Sequence, residues 1–220
     1  MIKKVFTEEE VKESVEKFMA DSFGKIFNDE LSVYRITPAT MFSQYDYIFL
    51  KSKNMPKSTI TVRRSNDSDD ISCDYMHVYY REKHIKPLLD NACNELFKKY
   101  CLLINNKDYA YGPIDYEMTL DKFMIQYGVS FDVLVCVDDF EKNGKEYYED
   151  AIKMLVNDAA EKDWKYRVVT LWVCDNLPNE KVSNMQIFDS KWSDTCKKLK
   201  HLNVFMEDNK KISVSDWIES

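Results

Sequence analysis

The chain has 220 residues, of which 45% are hydrophobic, so it is long enough to bury a sizeable core and is not typical of a disordered protein. Its formal net charge is −7 and its basic residues form no long stripe, which argues against nucleic-acid binding. The longest apolar runs fall far short of the ~20 residues that a spanning helix needs, so we expect no membrane span.

The N-terminus and the cysteines predict a cytoplasmic protein with free thiols. The chain has two lysines at positions 3 and 4 but turns acidic at Glu8 before any apolar stretch, which is not the pattern of a secretory leader. Secretion stays open as an alternative for a chain whose leader has already been removed. Six cysteines are compatible with disulfides, but the length of the chain and its Lys- and Glu-rich composition favour reduced thiols.

The first helix is predicted over residues 7–27. Thr7 and Glu10 have the spacing of a capping box, in which each residue satisfies a backbone N–H of the other. The residues expected on the buried face of this helix are Val11, Val15, Phe18, Met19, Ser22 and Ile26.

Four strands are predicted after this helix, at residues 31–37, 45–51, 58–64 and 75–81. Apolar and polar side chains alternate along the last two of them. In the third strand, one face is expected to carry Ile60 and Val62 and the other Thr59, Thr61 and Arg63. This alternation predicts an antiparallel sheet with one solvated face.

Two helices are predicted next. The pattern over residues 82–100 is strongly helical, and its start is expected just before Pro87 because proline fits only the first turn. A shorter helix at residues 119–127 has Thr119 as its N-cap and is expected to end at Gly128 in the left-handed conformation.

The loop between these helices contains Tyr109, Tyr111 and Tyr116. Tyrosine-rich loops can form recognition surfaces, because tyrosine provides contact area at a low entropy cost. The alternative, which we favour, is that these rings pack over the end of the sheet.

A strand-helix-strand unit is the best-defined pattern of the second half. Residues 129–137 and 167–174 are strongly apolar, and residues 145–162 between them have helical periodicity. A further helix at 183–200 and a closing hairpin of 202–206 with 212–217 are predicted after it.

The predicted fold class is α+β, with an N-terminal helix plus antiparallel sheet, followed by the βαβ-like unit and by a C-terminal helix with a short hairpin. We expect one compact body over residues 1–220. A division into subdomains 1–105 and 119–220, joined by a tyrosine-rich connection at 106–118, is the alternative. Short similar segments in the two halves fit a diverged internal duplication, and fit chance similarity between amphipathic helices equally well.

Few residues suggest chemistry. The four glycines are widely separated, so no phosphate-binding loop and no cofactor are expected, and three histidines without a Cys-x-x-Cys motif predict no metal site. The remaining candidates are Asp138 and Asp139 after the first apolar run and Asp175 after the second. Parallel strands would bring all three to one sheet edge, where carboxylates can hold Mg²⁺ or act as acid and base. The alternative, which we favour, is that these acids only solvate the strand ends.

These observations favour a non-enzymatic cytoplasmic protein that binds another protein, as an immunity-like or adaptor-like binder. In composition the chain resembles small acidic cytosolic binders such as immunity proteins that block a basic toxin, although no motif carries this resemblance and no site residue follows from it. The alternative is a small-ligand or metal-dependent enzyme that uses the carboxylates at 138–139 and 175. The sequence favours no particular oligomeric state.

Overall fold

A computed structural model describes residues 7–40, 43–65, 70–106, 116–128, 131–138, 143–164, 166–177, 198–206 and 212–219. These residues contain four helical segments and ten strands in two sheets, so the protein belongs to the α+β class, as predicted. None of the helices in these ranges is long and apolar enough to cross a membrane.

The chain divides into two compact units, which are described one at a time. The first comprises Met1–Glu82 and Tyr109–Tyr116, and the second comprises Lys83–Asp108 and Glu117–Ser220. The expectation of subdomains 1–105 and 119–220 stays a prediction.

The first unit begins with the predicted helix. It consists of α1 (Glu8–Met19), a π-helical turn (Ala20–Gly24) and α2 (Lys25–Phe27). The capping box is present: the Thr7 N–H donates to Glu10 Oε2 at 2.8 Å, and the Glu10 N–H donates to Thr7 Oγ1 at 3.2 Å.

The π-helical turn changes which residues of this helix face inward. Val11, Val15 and Met19 are buried as predicted, but Ile26 is 53% exposed and Phe23 is buried instead. A π-turn contains one more residue than an α-turn, so the helix face rotates after it. The prediction of Ile26 on the buried face was therefore wrong.

A four-stranded antiparallel sheet follows, with the order β1-β2-β3-β4. Its strands are β1 (Leu31–Thr37), β2 (Tyr45–Ser52), β3 (Thr59–Ser65) and β4 (Ile71–Cys73). The first three were predicted. The inner face carries fully buried aliphatic side chains, namely Ile48, Leu50, Ile60 and Val62.

The fourth predicted strand was wrong, because residues 75–81 are helical. They form α3 (Tyr75–Tyr80), and the chain continues through a π-helical turn (Arg81–Ile85) into α4 (Lys86–Leu96). The apparent alternation is misleading because almost all of α3 is buried, and a helix buried all round has no polar face. The π-turn ends two residues before Pro87, whose missing backbone N–H cannot make the hydrogen bond of a regular helix.

The second unit is built on a six-stranded sheet, with the order β10-β8-β7-β6-β5 and with β9 paired to β8. It begins with α4, and its further elements in chain order are β5 (Tyr100–Asn106), α5 (Leu120–Tyr127), β6 (Phe131–Asp138), α6 (Lys145–Glu161), β7 (Val168–Cys174), β8 (Lys198–Met206), β9 (Ile212–Val214) and β10 (Ile218–Glu219). β6 and β7 pair in parallel, which confirms the predicted strand-helix-strand unit.

The core of this unit lies on both sides of β6. All its residues from Phe131 to Val137 are buried. On one side of the sheet a small cluster contains Leu103, Leu134, Cys136 and Cys174. The helix α6 contributes an apolar face of its own, which consists of Tyr148, Ala151, Ile152, Leu155, Val156, Ala159 and Ala160.

Two further expectations for this unit were wrong. Gly128 ends α5 with a φ of −58°, so it is right-handed and not left-handed. Lys198 to Lys200 belong to β8 and not to the end of a helix. The rest of the helix predicted at 183–200 lies outside the described residues, whereas the pairing of β8 with β9 confirms the closing hairpin.

Candidate interaction surface

The outer face of the four-stranded sheet is the most distinctive surface of the first unit. Residues that are paired across neighbouring strands point to the same face. Arg35 pairs with Phe49, which pairs in turn with Thr61, and Lys51 pairs with Thr59. These side chains lie opposite the buried aliphatic layer, so the face combines aromatic, cationic and hydroxyl groups.

A β-bulge in β1 adds one more side chain to this face. The register of β1 shifts between Val33 and Arg35, so Tyr34 is an extra residue in the strand. Such a residue breaks the strict alternation of faces. The Tyr34 hydroxyl lies 3.1 Å from Oγ1 of Thr59, which is on the outer face, so Tyr34 and Arg35 both lie there.

Three cations of the face lie over aromatic rings. The Arg35 guanidinium carbon is 3.9 Å from the centroid of the Phe49 ring, and that of Arg63 is 4.2 Å from the Tyr45 ring. Lys51 Nζ lies 5.0 Å from the centroid of the Tyr34 ring. We call this set the aromatic–cation face: Tyr34, Arg35, Tyr45, Phe49, Lys51 and Arg63.

The aromatic–cation face is locally basic although the whole chain has a net charge of −7. None of the residues paired within β1 to β4 on this side of the sheet is acidic, and Glu30, one residue before β1, lies beside Lys53 with its Oε1 2.6 Å from Lys53 Nζ. The carboxylate of β2, Asp46, points to the opposite side, where its Oδ2 lies 3.7 Å from Arg64 Nη1 in a buried pair. Positive charge therefore coincides on a single face with one exposed ring, Tyr34, and two half-buried rings, Tyr45 and Phe49.

Buried polar groups connect β3 to the residues that follow β4. Asp74 Oδ1 accepts the Thr61 N–H at 2.7 Å, and the Asp74 N–H donates to the Thr61 oxygen at 3.1 Å. Burial raises the pKa of Asp74 to about 7, although the Thr61 N–H and the charge of Arg81 act in the opposite direction. Arg81 itself donates through Nη2 to Ser58 Oγ at 3.0 Å.

A second buried carboxylate lies where β2 ends. Asp29 Oδ2 accepts hydrogen bonds from Ser52 Oγ at 2.6 Å and from the Tyr75 hydroxyl at 2.9 Å. Its Oδ1 accepts the Asn54 N–H at 3.0 Å. Together these bonds fix the start of β1 against β2 and α3, and so keep the sheet rigid.

The predicted strand-end acids lie in the second unit. Asp138 is paired with Cys174 in the parallel register, so Asp175 follows at the same sheet edge. Asp138 Oδ2 lies 3.8 Å from Lys99 Nζ, and Asp139 lies outside the described residues. Among the described residues no group of three or more His, Cys, Asp or Glu side chains could hold a metal ion.

A small cavity adjoins Asp138. Its volume is about 30 Å³, which is enough for about one water molecule. It is lined by Phe97, Lys98, Lys99, Val137, Asp138, Asn143, Tyr147 and Tyr148. Tyr147 donates its hydroxyl hydrogen to the Leu96 oxygen at 2.6 Å, so this phenol is engaged with the backbone.

The three tyrosines of the predicted recognition loop are only partly described. Tyr109 and Tyr111 lie outside the described residues. Tyr116 is 43% exposed, and its ring contacts Phe23 and Phe27 edge-on, with centroids 5.8 and 6.2 Å away. Its role in binding stays a prediction.

Sequence reasoning did not single out the aromatic–cation face. One signal was available, because Tyr45, Tyr47, Phe49 and Lys51 occupy alternate positions of a predicted strand. The contribution of Tyr34 and Arg35 had no such signal, since simple alternation places neighbouring residues on opposite faces.

The fold and this surface define a two-sheet α+β protein with a basic, aromatic sheet face. No protein-family model matches the chain, and no curated protein matches it. The chain is similar in structure to a DUF5037 family protein from Ruminococcus gnavus ATCC 29149, with a TM-score of 0.57 and 13% sequence identity. The similarity covers 93% of this chain and 94% of that chain, and at this identity it shows the fold alone.

Proposed function

We propose that the chain is a cytoplasmic, non-enzymatic protein that binds another protein through the aromatic–cation face. The observation that carries this proposal is the coincidence of aromatic rings and ring-stacked cations on one face, where the residues paired within the described strands include no acid. Aromatic residues and arginine dominate the energetics of protein interfaces, whereas surfaces without partners rarely concentrate them.

The sheet suits this role mechanically. Its inner face is close-packed, and Asp29 and Asp74 tie the strands to neighbouring elements by buried hydrogen bonds. A rigid strand displays its side chains with little loss of conformational freedom on binding, which favours affinity.

The test is a quantitative pull-down from the source cells with a matched pair of variants. Tyr34→Ala combined with Arg35→Ala removes two adjacent groups of the face. Met154→Ala is the control, because Met154 is 60% exposed on α6 in the second unit. We expect a partner that wild type and Met154→Ala retain equally and that the double variant loses. Equal retention by all three proteins, or no retained protein, would contradict the proposal.

A second candidate function is a metal-dependent or small-ligand enzyme that uses Asp138, Asp139 and Asp175. The observation in its favour is the parallel pairing of β6 and β7, which brings Asp138 and Asp175 to one edge. Its signature is a rise in the melting temperature with Mg²⁺ or Mn²⁺ that Asp138→Asn abolishes. The proposed binding function predicts no such rise.

A further inference from the structure

We infer that the partner segment that occupies the aromatic–cation face is acidic and extended, with carboxylates at alternate positions. This inference rests on the proposed function and specifies the chemistry of the partner. It follows from the arrangement of Arg35 and Lys51 on the sheet, and from a comparison with other described cations, which form ion pairs with acidic side chains.

The stacking of Arg35 prepares it to bind a carboxylate. With its guanidinium carbon 3.9 Å from the centroid of the Phe49 ring, the guanidinium group is held against that ring. A stacked guanidinium keeps N–H groups at its edge available, and these match the two oxygens of a carboxylate. Because the ring already restricts the side chain, less conformational freedom is lost when the carboxylate binds.

Among the described residues, Arg35 and Lys51 have no acidic partner, unlike several other cations. Within the described part of the chain, ion pairs join Lys25 to Asp21, Lys53 to Glu30, Arg64 to Asp46, Arg81 to Glu82 and Arg167 to Asp132. Arg35 and Lys51 are exposed, and their interactions with described residues are with the rings beneath them. Among the described residues, Arg35 and Lys51 thus have no acidic side chain in an ion pair, so a partner can supply one.

The spacing of the cations matches an extended segment. Arg35 on β1 lies beside Phe49 on β2, and Lys51 is two residues further along β2, so the two cations lie on neighbouring strands and are offset by two residues along the sheet. Two residues of extended chain span about 6.6 Å, so acids at alternate positions of a partner strand recur at the same interval. The residue between two such acids faces the other way, and residues beyond them can contact the ring of Tyr34, which is 49% exposed.

A nucleic acid fits this face less well than an acidic peptide. Single-stranded nucleic acids bind by stacking their bases on open aromatic faces. Here cations already lie over the rings of Tyr34, Tyr45 and Phe49. The net charge of −7 also opposes a polymer that carries one charge on every nucleotide, whereas a short peptide brings only a few charges.

The test measures binding of fluorescein-labelled probes by anisotropy. The probes are a peptide with Glu and Ser at alternate positions, the same peptide with Lys in place of Glu, and an oligothymidylate. The proteins are wild type, Arg35→Glu with Lys51→Glu, and the control Lys53→Ala, whose exposed cation is paired with Glu30. Circular dichroism verifies that each variant is folded.

We expect wild type and Lys53→Ala to bind the Glu peptide and to lose affinity as salt increases from about 50 to about 200 mM. The charge-reversed variant should bind it at least about tenfold more weakly and should prefer the Lys peptide. Equal binding of the two peptides by wild type, or tighter binding of the oligothymidylate, would overturn the inference. The partner found in the pull-down can depend on Tyr34 and Arg35 although wild type does not bind the Glu peptide. In that case the proposed protein-binding function is kept, and the inference that the partner segment is acidic is rejected.

Discussion

Two buried groups of the first unit should have opposite effects on the pH dependence of stability. Asp74 and His77 are both buried and lie one turn apart along the chain. Burial raises the pKa of Asp74 from 3.8 to about 7. Burial, with the nearby charge of Arg81, lowers the pKa of His77 from 6.5 to about 4.

The signs follow from which state binds the proton. Between pH 3.8 and about 7 the unfolded chain has lost the Asp74 proton and the folded protein retains it, so this group makes stability fall as pH rises. Between pH 6.5 and about 4 the unfolded chain gains a proton on His77 and the folded protein does not, so this group makes stability fall as pH falls. The two effects largely cancel between pH 4 and 6.5.

The magnitudes are large enough to measure. At about 1.4 kcal/mol per pH unit, the difference between folded and unfolded pKa corresponds to about 4 kcal/mol for Asp74 and about 3 kcal/mol for His77. Asp74→Asn keeps an oxygen that can accept the Thr61 N–H, and it removes the charge. Relative to wild type, this variant should gain stability steadily as pH rises from about 4 to about 8.

The assay is urea unfolding followed by circular dichroism at a series of pH values for wild type, Asp74→Asn and His77→Gln. Subtracting the free energy of unfolding of wild type from that of the variant at each pH removes the contributions of the other titratable groups. His77→Gln should show the opposite trend, gaining on wild type as pH falls below 6.5. If neither difference changes with pH, the burial argument for this pair is refuted.

Three other predictions concern stability and reactivity. Asp29→Ala removes the acceptor for Ser52 and Tyr75 and should lower the free energy of unfolding by about 3 kcal/mol in urea titrations; a loss near zero would contradict the role of these bonds. Asp138→Asn should change stability by less than about 1 kcal/mol, because its ion-pair partner is largely exposed, and neither protein should respond to Mg²⁺ in a thermal-shift assay. Cys93 is buried with a pKa raised to about 12, so alkylation by iodoacetamide, followed by mass spectrometry, should require unfolding; rapid modification of the folded protein would contradict its burial.

Much of the fold could be predicted because local patterns and tertiary environment agree in most elements. β2 and β3 alternate in sequence and are buried on one side in the structure. The β6-α6-β7 unit was predicted from two apolar runs separated by a helical pattern. In such segments the periodicity of the sequence directly reflects which side faces the core.

The wrong predictions concern a helix that is buried on nearly all sides and a helix that is interrupted by a π-turn. α3 is buried on all sides, so its sequence from Tyr75 to Tyr80 carries no helical polarity and its aromatic residues suggest a strand. The π-turn at Ala20–Gly24 rotates the helix face and exposes Ile26. Neither feature has a local sequence signal, because both depend on packing against other parts of the chain.

The candidate surface was less predictable than the fold. The strand register unites Arg35, Phe49 and Lys51 from two strands, and the bulge adds Tyr34. This group can be recognised only when the pairing of β1 with β2 and the position of the β-bulge are both known. The strand-end acids were easier to find because each one follows an apolar run directly, but the described residues add no metal-binding cluster around them.

The most direct test of the aromatic–cation face is site-specific photo-crosslinking in the source cells. A photoreactive phenylalanine derivative replaces Thr37, which is exposed and paired with Tyr47 on this side of the sheet, or Met154 as the control position. We expect a covalent adduct with one partner protein from position 37 and none from position 154. Absence of an adduct at position 37, or the same adducts with equal yield at both positions, would contradict it.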